Sequence, residues 1–353
     1  MNGMHDYEIL PEQGLFNRDR ERRLFSLVGW ALTVLLIATT LGTYACQYAA
    51  MAFAPWLFGE WWFVWILSFV PLYGVGLPAM YLILRRVPRA PHDPACLCHG
   101  ETCPKGRFGG RQLALIALIA LGYMYIGSYI GNALMSVFST VTGEEMENPL
   151  AEVLGNSPVW ANVLGAAILA PIGEELLFRK LLGDRLRRWG DKVAILVSAT
   201  FFALFHGNLF QFFYALLLGL AFGYLYTRTG KIRYSIVLHA AVNLVGGVLL
   251  PGLADVVDDG ALRAQDLASA LEYAASHPLG TAAYVCSVIL GYVILFVMVV
   301  SVVLTIRLRR RLRLGAGQMP LPRGDAFAIA MGNVGMAAAT VLFVLSVALS
   351  LLA

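Results

Sequence analysis

Long apolar runs separated by short polar segments dominate the sequence. A helix needs about 20 apolar residues to cross the hydrocarbon core of a bilayer, so such runs can be counted directly. They lie at about 27–53, 61–84, 113–139, 159–178, 193–207, 209–227, 234–252, 281–306 and 327–352. No segment alternates apolar and polar residues over a useful length, so no strand is predicted. The pattern predicts an all-α, polytopic integral membrane protein with about nine transmembrane helices.

Two short connections predict tight turns between neighbouring helices. Residues 189–191, Trp-Gly-Asp, have the composition of a turn between the fourth and fifth helices. The fifth run is short for a span, so the fifth and sixth runs are expected to form a hairpin around Gly207-Asn208. Residues equally distant from the turn of an antiparallel helical pair lie at equal height. Because Glu174 and His206 each lie sixteen residues from Gly190, they are expected to face each other if the helix rotation allows it.

The overall composition supports this prediction. Of the 353 residues, 59% are apolar and 14% are charged, and the mean hydropathy is +0.70. A soluble globular protein carries roughly 25% charged residues. The composition therefore excludes a soluble fold, a disordered chain, a disulfide-rich secreted scaffold and a basic protein that binds nucleic acid. The expected surroundings are the lipid bilayer.

Basic residues lie almost entirely on one side of the membrane when the nine spans are threaded in order. Of the 26 lysine and arginine residues, only Arg263 falls on the other side. The opposite loops hold acidic residues: Glu144, Glu145, Glu147, Asp255, Asp258, Asp259 and Asp266. Short cytoplasmic loops carry an excess of Lys and Arg. The N-terminus is therefore predicted to be cytoplasmic and the C-terminus outside, in a protein of the plasma membrane.

Basic linkers at 85–112 and 307–325 divide the chain into three predicted parts. Residues 1–112 comprise the cytoplasmic N-terminus, two transmembrane helices and a cytoplasmic loop containing Cys and His. Residues 113–252 form a central membrane block. Residues 253–353 comprise an outer loop and the two C-terminal transmembrane helices.

Ionisable residues inside the apolar runs are confined to the central block. Insertion scales assign such a residue a cost of about 2.5–3.5 kcal/mol at the centre of a helix, so its default interpretation is functional. These residues, with one amide, are Glu174, Glu175, Arg179, His206, His239 and Asn243. The sequence therefore predicts a polar site within the bilayer.

The spacing of these residues separates a structural pair from a reactive group. Glu175 and Arg179 are four residues apart with the acid first, which favours a helical ion pair. We interpret this pair as orienting the site. Glu174 is rotated by about 100° from Glu175 around the helix. Glu174 is therefore predicted to be the freer carboxylate.

A carboxylate and two imidazoles in an apolar cavity can activate water. Glu174 is the candidate general base, and His206 can polarise the water or stabilise charge. Asn243 and His239 lie on one helical face, where they can donate to a developing oxyanion. Glu174, His206 and His239 also form an established type of donor set for a divalent metal such as zinc. The residues leave metal-dependent and glutamate chemistry both open, and no other cofactor is predicted.

Three motifs resemble the CPBP intramembrane proteases, which are named for CAAX-processing and bacteriocin-processing enzymes and are also called the Abi family. They are E-E-x-x-x-R at 174–179, F-x-x-x-H at 202–206 and H-x-x-x-N at 239–243. Each motif alone is weak, but three in this order, within hydrophobic helices over about seventy residues, are specific. The resemblance covers roughly 113–252 and implies a CAAX-protease-like helical core whose motifs face a cavity open to the cytoplasm and to lipid.

The resemblance also implies residue roles. The implied catalytic residues are Glu174 and His206, which would activate the attacking water, and His239 and Asn243, which would form the oxyanion site. The implied supporting residues are Glu175, Arg179 and Phe202. Family members are described both as metalloproteases and as metal-independent glutamic proteases. The implied activity is endopeptidase cleavage of membrane-associated or lipidated proteins or peptides, in CAAX-type or leader-peptide processing.

Two other functions compete with the protease. A proton- or metal-coupled transporter would need polar residues along a path to both faces, whereas the outer halves of the helices are almost purely apolar. The other alternative is a catalytically silent immunity or scaffold protein of the Abi type. The intact set of motifs argues against it.

A second metal candidate lies in the loop after the second helix. Its donors are Cys96, Cys98, His99 and Cys103. The pattern C-x-C-H-x-x-x-C is not a standard zinc-finger spacing. On the cytoplasmic side these thiols are expected to be reduced. A solvated linker with incidental thiols is the favoured interpretation.

Overall fold

The computed structural model describes residues 16–90, 109–254, 256–257, 260–263, 266–312 and 314–352. In these ranges the chain forms helices and no β-strand, so the predicted all-α class is confirmed. The α-helices are α1 Arg18–Phe53, α2 Phe63–Leu84, α3 Gly110–Thr142, α4 Pro149–Gly155, α5 Val159–Trp189, α6 Asp191–Phe205, α7 Leu209–Thr229, α8 Ile232–Leu253, α9 Leu267–Ser276, α10 Pro278–Leu308, α11 Ala326–Ala330 and α12 Val334–Leu349. Short 3₁₀ helices lie at Pro55–Gly59, Gly260–Arg263 and Arg309–Arg311.

Each of the nine predicted spans corresponds to a helix. In the described part of the chain, seven of these helices are long and apolar enough to cross a membrane: α1, α2, α3, α5, α7, α8 and α10. The fifth and ninth predicted spans are the shorter helices α6 and α12, with 15 and 16 residues. At 1.5 Å per residue, a helix of this length rises about 22–24 Å, less than the roughly 30 Å of a bilayer core. The chain is a polytopic helical membrane protein.

The two predicted turns are present. Gly190 has a φ of +114° between α5 and α6, and Gly207 has a φ of +68° between α6 and α7. Glycine adopts such angles without the steric cost of a Cβ. Asn208 then caps the start of α7 with its side chain. Phe178 and Phe202, each twelve residues from Gly190, have ring centroids 5.3 Å apart. The equal-distance register predicted for this hairpin is therefore correct.

Small residues allow close helix contacts at two crossings. A Cβ on Gly219 would lie 3.0 Å from the Cα of Ala199, and one on Gly223 would lie 3.5 Å from α6. The G-x-x-x-G pattern of α7 therefore serves helix packing. At a second crossing, a Cβ on Gly29 of α1 would overlap the backbone of Gly335 in α12.

Two buried apolar clusters flank the polar residues of the central block. The larger joins α1, α2, α5, α6 and α12 and includes Phe25, Leu32, Phe178, Phe202 and Phe343. The smaller joins α3, α7 and α8 and includes Met124, Phe222 and Val242. Lipid tails are as apolar as these side chains, so van der Waals packing rather than escape from water favours such contacts. The clusters enclose the polar residues between two packed walls.

The charged end of α5 is buried within the protein. The helix continues to Trp189, and several charged side chains in its last turns are buried. Arg188 contacts both carboxylate oxygens of Glu21 in α1, at 3.1 and 3.2 Å. The indole nitrogen of Trp189 donates to the same carboxylate at 2.8 Å. Burial is tolerated here because the charges are paired.

Chain segments outside the central block hold the α5–α6 turn. Asp191 and Gly315 exchange two hydrogen bonds, at 2.9 Å between their backbones and 2.8 Å to the carboxylate. The backbone N–H of Met319 donates to the carbonyl of Arg188 at 2.9 Å, and that of Ala90 donates to α5. The N-terminal helices and the segment after α10 therefore position the two helices that carry the first two motifs.

Candidate active site

Two helices, α5 and α8, and the C-terminal end of a third, α6, carry the predicted polar residues. Glu174 lies fifteen residues from each end of α5, on a short regular stretch, Ala170–Glu175. Wide π-helical turns at Val163–Leu169 and Leu176–Gly183 flank this stretch. Such turns are rare and occur frequently at functional sites. The first motif therefore sits at an irregular point of an otherwise continuous helix.

The predicted ion pair is present and fully buried. Nε of Arg179 lies 3.2 Å from Oε2 of Glu175, and each side chain is at most 1% exposed. The two charges attract each other without the alignment of a hydrogen bond. The guanidinium also lies 3.4 Å from the hydroxyl of Ser198 and 4.8 Å from the ring centroid of Phe202. Glu175 and Arg179 therefore fasten α5 to α6.

Glu175 also orients His239. Its Oε1 lies 3.1 Å from Nδ1 of the imidazole. A carboxylate paired with an arginine can only accept, so Nδ1 carries the proton of this bond. The imidazole stacks on Phe222 of α7 at 4.7 Å and meets the edge of Phe202 at 5.7 Å. The ring is thereby held by two aromatic neighbours and at one nitrogen.

Glu174 approaches the other nitrogen of the same imidazole. Its Oε2 lies 3.7 Å from Nε2 of His239. The side chain of Glu174 is 17% exposed, whereas that of Glu175 is completely buried. The predicted contrast between a free and a fixed carboxylate is therefore present. The rotation of 100° does not separate the two acids, however, because one imidazole lies between them.

His206 follows the last residue of α6 and is half-buried. Its Nδ1 lies 2.8 Å from the carbonyl oxygen of Phe202. A carbonyl oxygen only accepts, so Nδ1 carries the hydrogen and the lone pair of Nε2 remains available in the neutral ring. The ring meets Phe202 edge-on at 4.9 Å and lies 6.3 Å from the ring of Tyr214. His206 is therefore presented as a base or acceptor.

Asn243 lies one turn beyond His239 on α8. Its amide nitrogen donates to the carbonyl oxygen of Ala166 at 2.9 Å. An amide has two N–H donors, and this bond uses one of them. Asn243 therefore ties α8 to the π-helical turn of α5 and retains a second donor.

The candidate metal donors are not gathered into a metal site in this structure. Among the residues that the structure describes, no group of three His, Cys, Asp or Glu side chains could hold a metal ion. In both imidazoles, however, Nδ1 contacts an oxygen acceptor, as the outer nitrogen of a metal-ligating histidine usually does, so Nε2 is the nitrogen that would face a metal. A metal bound by Glu174, His206 and His239 therefore stays a prediction. The second candidate set lies outside the described residues: Cys96, Cys98, His99 and Cys103.

Several residues near the site were not identified from the sequence. Phe222 and Ser198 are typical packing residues of apolar helices, and their spacing carries no signal. Tyr73 of α2 touches Gly173, the residue before Glu174. A single tyrosine between Pro71 and Gly74 is the only hint that the sequence offers for it.

Known proteins resemble the part of the chain that holds this site. Residues 156–245 match the family described as "Type II CAAX prenyl endopeptidase Rce1-like". "UPF0177 protein YxdF" of Lactococcus lactis subsp. lactis (strain IL1403) is 27% identical over 121 residues, which are 34% of this chain and 67% of that protein. "UPF0177 protein YbdJ" of the same strain is 36% identical over 107 residues, 30% of this chain and 45% of that protein.

A third relative carries a descriptive name. "Putative membrane peptidase YdiL" of Bacillus subtilis (strain 168) is 27% identical over 168 residues, 47% of this chain and 64% of that protein. The chain thus spans about half to two thirds of the length of these relatives. No solved structure matches the chain significantly. The three motifs at 174–179, 202–206 and 239–243 all lie within the matched range. Residues 156–245, which carry the three motifs, are therefore similar to the CAAX-protease-like family, also called the CPBP or Abi family.

Proposed function

We propose that the protein is an intramembrane endopeptidase that hydrolyses peptide bonds with a water molecule activated by Glu174 and His206. The observation that carries this proposal is the chain of contacts Arg179–Glu175–His239–Glu174 between packed apolar helices. One carboxylate of this chain is neutralised and buried, whereas the other is partly exposed. A fixed acid beside a freer one suits orientation by the first and proton transfer by the second.

The proposed reaction begins with water between Glu174 and His206. The Glu174 carboxylate, or the free Nε2 of His206, accepts a proton as the water oxygen attacks the scissile carbonyl carbon. The second N–H of Asn243 donates to the resulting oxyanion. The accepted proton then passes to the amide nitrogen, the C–N bond breaks, and a carboxylic acid and an amine leave. His239, oriented by Glu175, stabilises the charge on Glu174 when both of its ring nitrogens carry a proton.

The proposed substrates are membrane-associated or lipidated proteins or peptides. The family description names CAAX prenyl endopeptidases, and the site lies within the part of the chain that matches it. Glu174 lies on a helix with the composition of a membrane span, so a substrate must reach it beside lipid. CAAX-type tails and leader peptides both meet this requirement. Nucleic acid is not a proposed partner.

A peptide-cleavage assay tests the proposed function. Purified protein in lipid nanodiscs is mixed with a library that includes prenylated CAAX peptides and hydrophobic leader peptides, and mass spectrometry identifies the products. We expect cleavage by wild type and at least a 100-fold loss in His206→Ala, because general acid–base groups contribute about 10²–10⁴-fold. His277→Ala, at an exposed position after α9, is the matched control and should cleave normally.

The same assay separates the competing functions. Cleavage should persist in a chelator if Glu174 and His206 act without a metal. If a chelator abolishes cleavage and added zinc restores it, the donors rearrange around a metal. No cleavage of any library member by wild type would favour a transporter or a silent scaffold and would overturn the proposal.

We also propose that the basic end of the molecule is cytoplasmic, in the plasma membrane. At one end of α5, the backbone N–H of Met319 donates to the carbonyl of Arg188, and that of Ala90 donates to the carbonyl of Asp184. At the other end, Trp61 and Trp160 pack edge-to-face at 5.4 Å, as aromatic residues do at a membrane interface. Twenty residues of α5, about 30 Å, separate Trp160 from position 180. Glu174 would then lie about 9 Å inside the cytoplasmic boundary.

Reporter fusions test this orientation. A periplasmic alkaline phosphatase joined after residue 353 should be active, because the C-terminus is expected outside. The same reporter joined after residue 316, beside the basic end, should be inactive, and a cytoplasmic reporter such as green fluorescent protein should give the reverse pattern. Active phosphatase after residue 316 would contradict the orientation and the span count on which it depends.

A further inference from the structure

We propose that Tyr73 is an additional catalytic residue, whose phenolic hydroxyl donates a hydrogen bond to the oxyanion formed on the scissile carbonyl. This inference rests on the proposed function. Tyr73 lies on α2, outside residues 156–245, which match the family. This role of Tyr73 would make α2 a part of the active site rather than only a support for it.

The position of the hydroxyl is the first observation. The phenolic oxygen of Tyr73 fills the space that a Cβ on Gly173 would occupy. It therefore rests on the backbone of α5 one residue before Glu174. Gly173 directly precedes Glu174, the residue that is proposed to activate water, so the hydroxyl contacts α5 at the height of the proposed site.

An aromatic ladder holds Tyr73 in this position. Trp65, Phe69 and Tyr73 lie four residues apart on one face of α2 and stack at 5.9 and 5.8 Å, with interplanar angles of 14° and 18°. A Cβ on Gly165 would overlap the Trp65 ring, as one on Gly173 would overlap Tyr73. Trp65 and Tyr73 are eight residues apart on α2, and the glycines that they contact are eight residues apart on α5. The two helices therefore run side by side in register. Trp65 is further fixed by donating to a serine hydroxyl at 3.0 Å.

The second observation concerns the number of hydrogen-bond donors that the site offers to an oxyanion. The neutral amide that is cleaved acquires a full negative charge on its oxygen, and efficient sites meet that charge with preplaced donors. His239 is implied as one donor by the family resemblance, but both of its ring nitrogens face carboxylates. One N–H of Asn243 is already bound to Ala166. One amide N–H is then left from this pair, and the Tyr73 hydroxyl provides a second donor.

The chemistry of a phenol fits this role. A tyrosine hydroxyl donates one hydrogen bond and keeps its proton at neutral pH, because its ordinary pKa is about 10. As the oxyanion forms, the O–H of Tyr73 would point to it and away from Gly173. When the C–N bond breaks and the carbonyl reforms, the hydrogen bond weakens without any net proton transfer from tyrosine. The proton balance of the proposed reaction is unchanged.

Tyr73→Phe tests the proposal. Phenylalanine keeps the ladder and loses only the hydroxyl, so kcat should fall by about 10²-fold, the loss typical of one oxyanion donor, with KM nearly unchanged. The affinity for a peptide phosphinate, which mimics the tetrahedral anion, should fall in parallel. The affinity for an uncleavable substrate analogue should not. Tyr81→Phe, two turns further along α2 at an exposed position, is the matched control and should leave all three values unchanged.

A second pair of variants tests the position of the hydroxyl without removing it. Gly173→Ala should displace the Tyr73 hydroxyl and lower kcat, whereas Gly74→Ala, in open space beside Tyr73, should not. Wild-type kcat and phosphinate affinity in Tyr73→Phe, with Glu174→Gln inactive, would overturn this inference and leave the proposed function standing. An equal loss of affinity for the phosphinate and for the uncleavable analogue would assign Tyr73 to substrate binding and would also overturn it. Absence of cleavage by wild type would instead overturn the proposed function.

Discussion

Replacing Glu174 with glutamine is expected to lower the rate of peptide cleavage by about 10²- to 10⁴-fold. Glutamine has the same shape as glutamate but cannot accept the proton of the attacking water. The side chain is partly exposed and its contact with His239 is long, at 3.7 Å, so the fold should survive the change. Initial rates on the best library peptide, measured beside the melting temperature in detergent, separate loss of catalysis from loss of structure.

Glu152→Gln is the control for this substitution. Glu152 is an exposed glutamate on α4. The same chemical change there should leave both the rate and the melting temperature at wild-type values. If Glu174→Gln cleaved at the wild-type rate, Glu174 would not be the general base, and His206 would remain the only candidate of the pair. If it lost its fold, the long contact with His239 would be more important than its distance suggests.

Replacing Glu175 with alanine is expected to destabilise the protein by about 3–5 kcal/mol, the usual cost of leaving a buried charge without its partner. Arg179 is 1% exposed and would keep its charge without the carboxylate at 3.2 Å. His239 would also lose the acceptor at its Nδ1, which lies 3.1 Å from Glu175. The variant should therefore unfold at a lower denaturant concentration and should cleave poorly even where it remains folded. Equilibrium unfolding in mixed micelles measures the first effect.

A double substitution distinguishes a broken pair from a general packing defect. Glu175→Leu combined with Arg179→Leu removes both charges, so it should cost less than the sum of the two single changes. Glu152→Ala controls for the loss of a glutamate at an exposed position and should change the unfolding free energy by less than about 0.5 kcal/mol. Additive effects of the two leucine substitutions would show that Glu175 and Arg179 do not interact energetically.

The predictions that succeeded concern features that depend on residues close together in the chain or on a regular spacing of residues. Each of the nine apolar runs corresponds to a helix in the described part of the chain, because a membrane helix satisfies its backbone within itself and its length follows from bilayer thickness. The four-residue spacing predicted the Glu175–Arg179 pair, and Gly190 and Gly207 predicted the two turns. Each of these depends on residues within one or two helical turns. The register of the α5–α6 hairpin was predicted as well, because it follows from counting residues outward from Gly190.

The features that required the tertiary structure all join distant parts of the chain. The imidazole of His239 lies between Glu174 and Glu175 because α8 crosses α5 at that height, and helical rotation alone suggested that the acids point apart. The charges near Trp189 are buried because Glu21 reaches them from α1. The sequence analysis did not predict the wide π-helical turns beside the first motif, although Pro171 lies two residues after the first of them.

By itself, the sequence determined the all-helical membrane class, the turns, the buried ion pair and the set of polar residues from which the candidate site is built. These follow from local periodicity and from the cost of placing charge in lipid. Only the tertiary structure decided which nitrogen faces which carboxylate, and which neighbour outside the matched domain reaches the site. Those choices depend on helix crossing and rotation, which are set by side-chain packing among helices far apart in the chain. Tyr73 on Gly173, one residue from Glu174, is the clearest example.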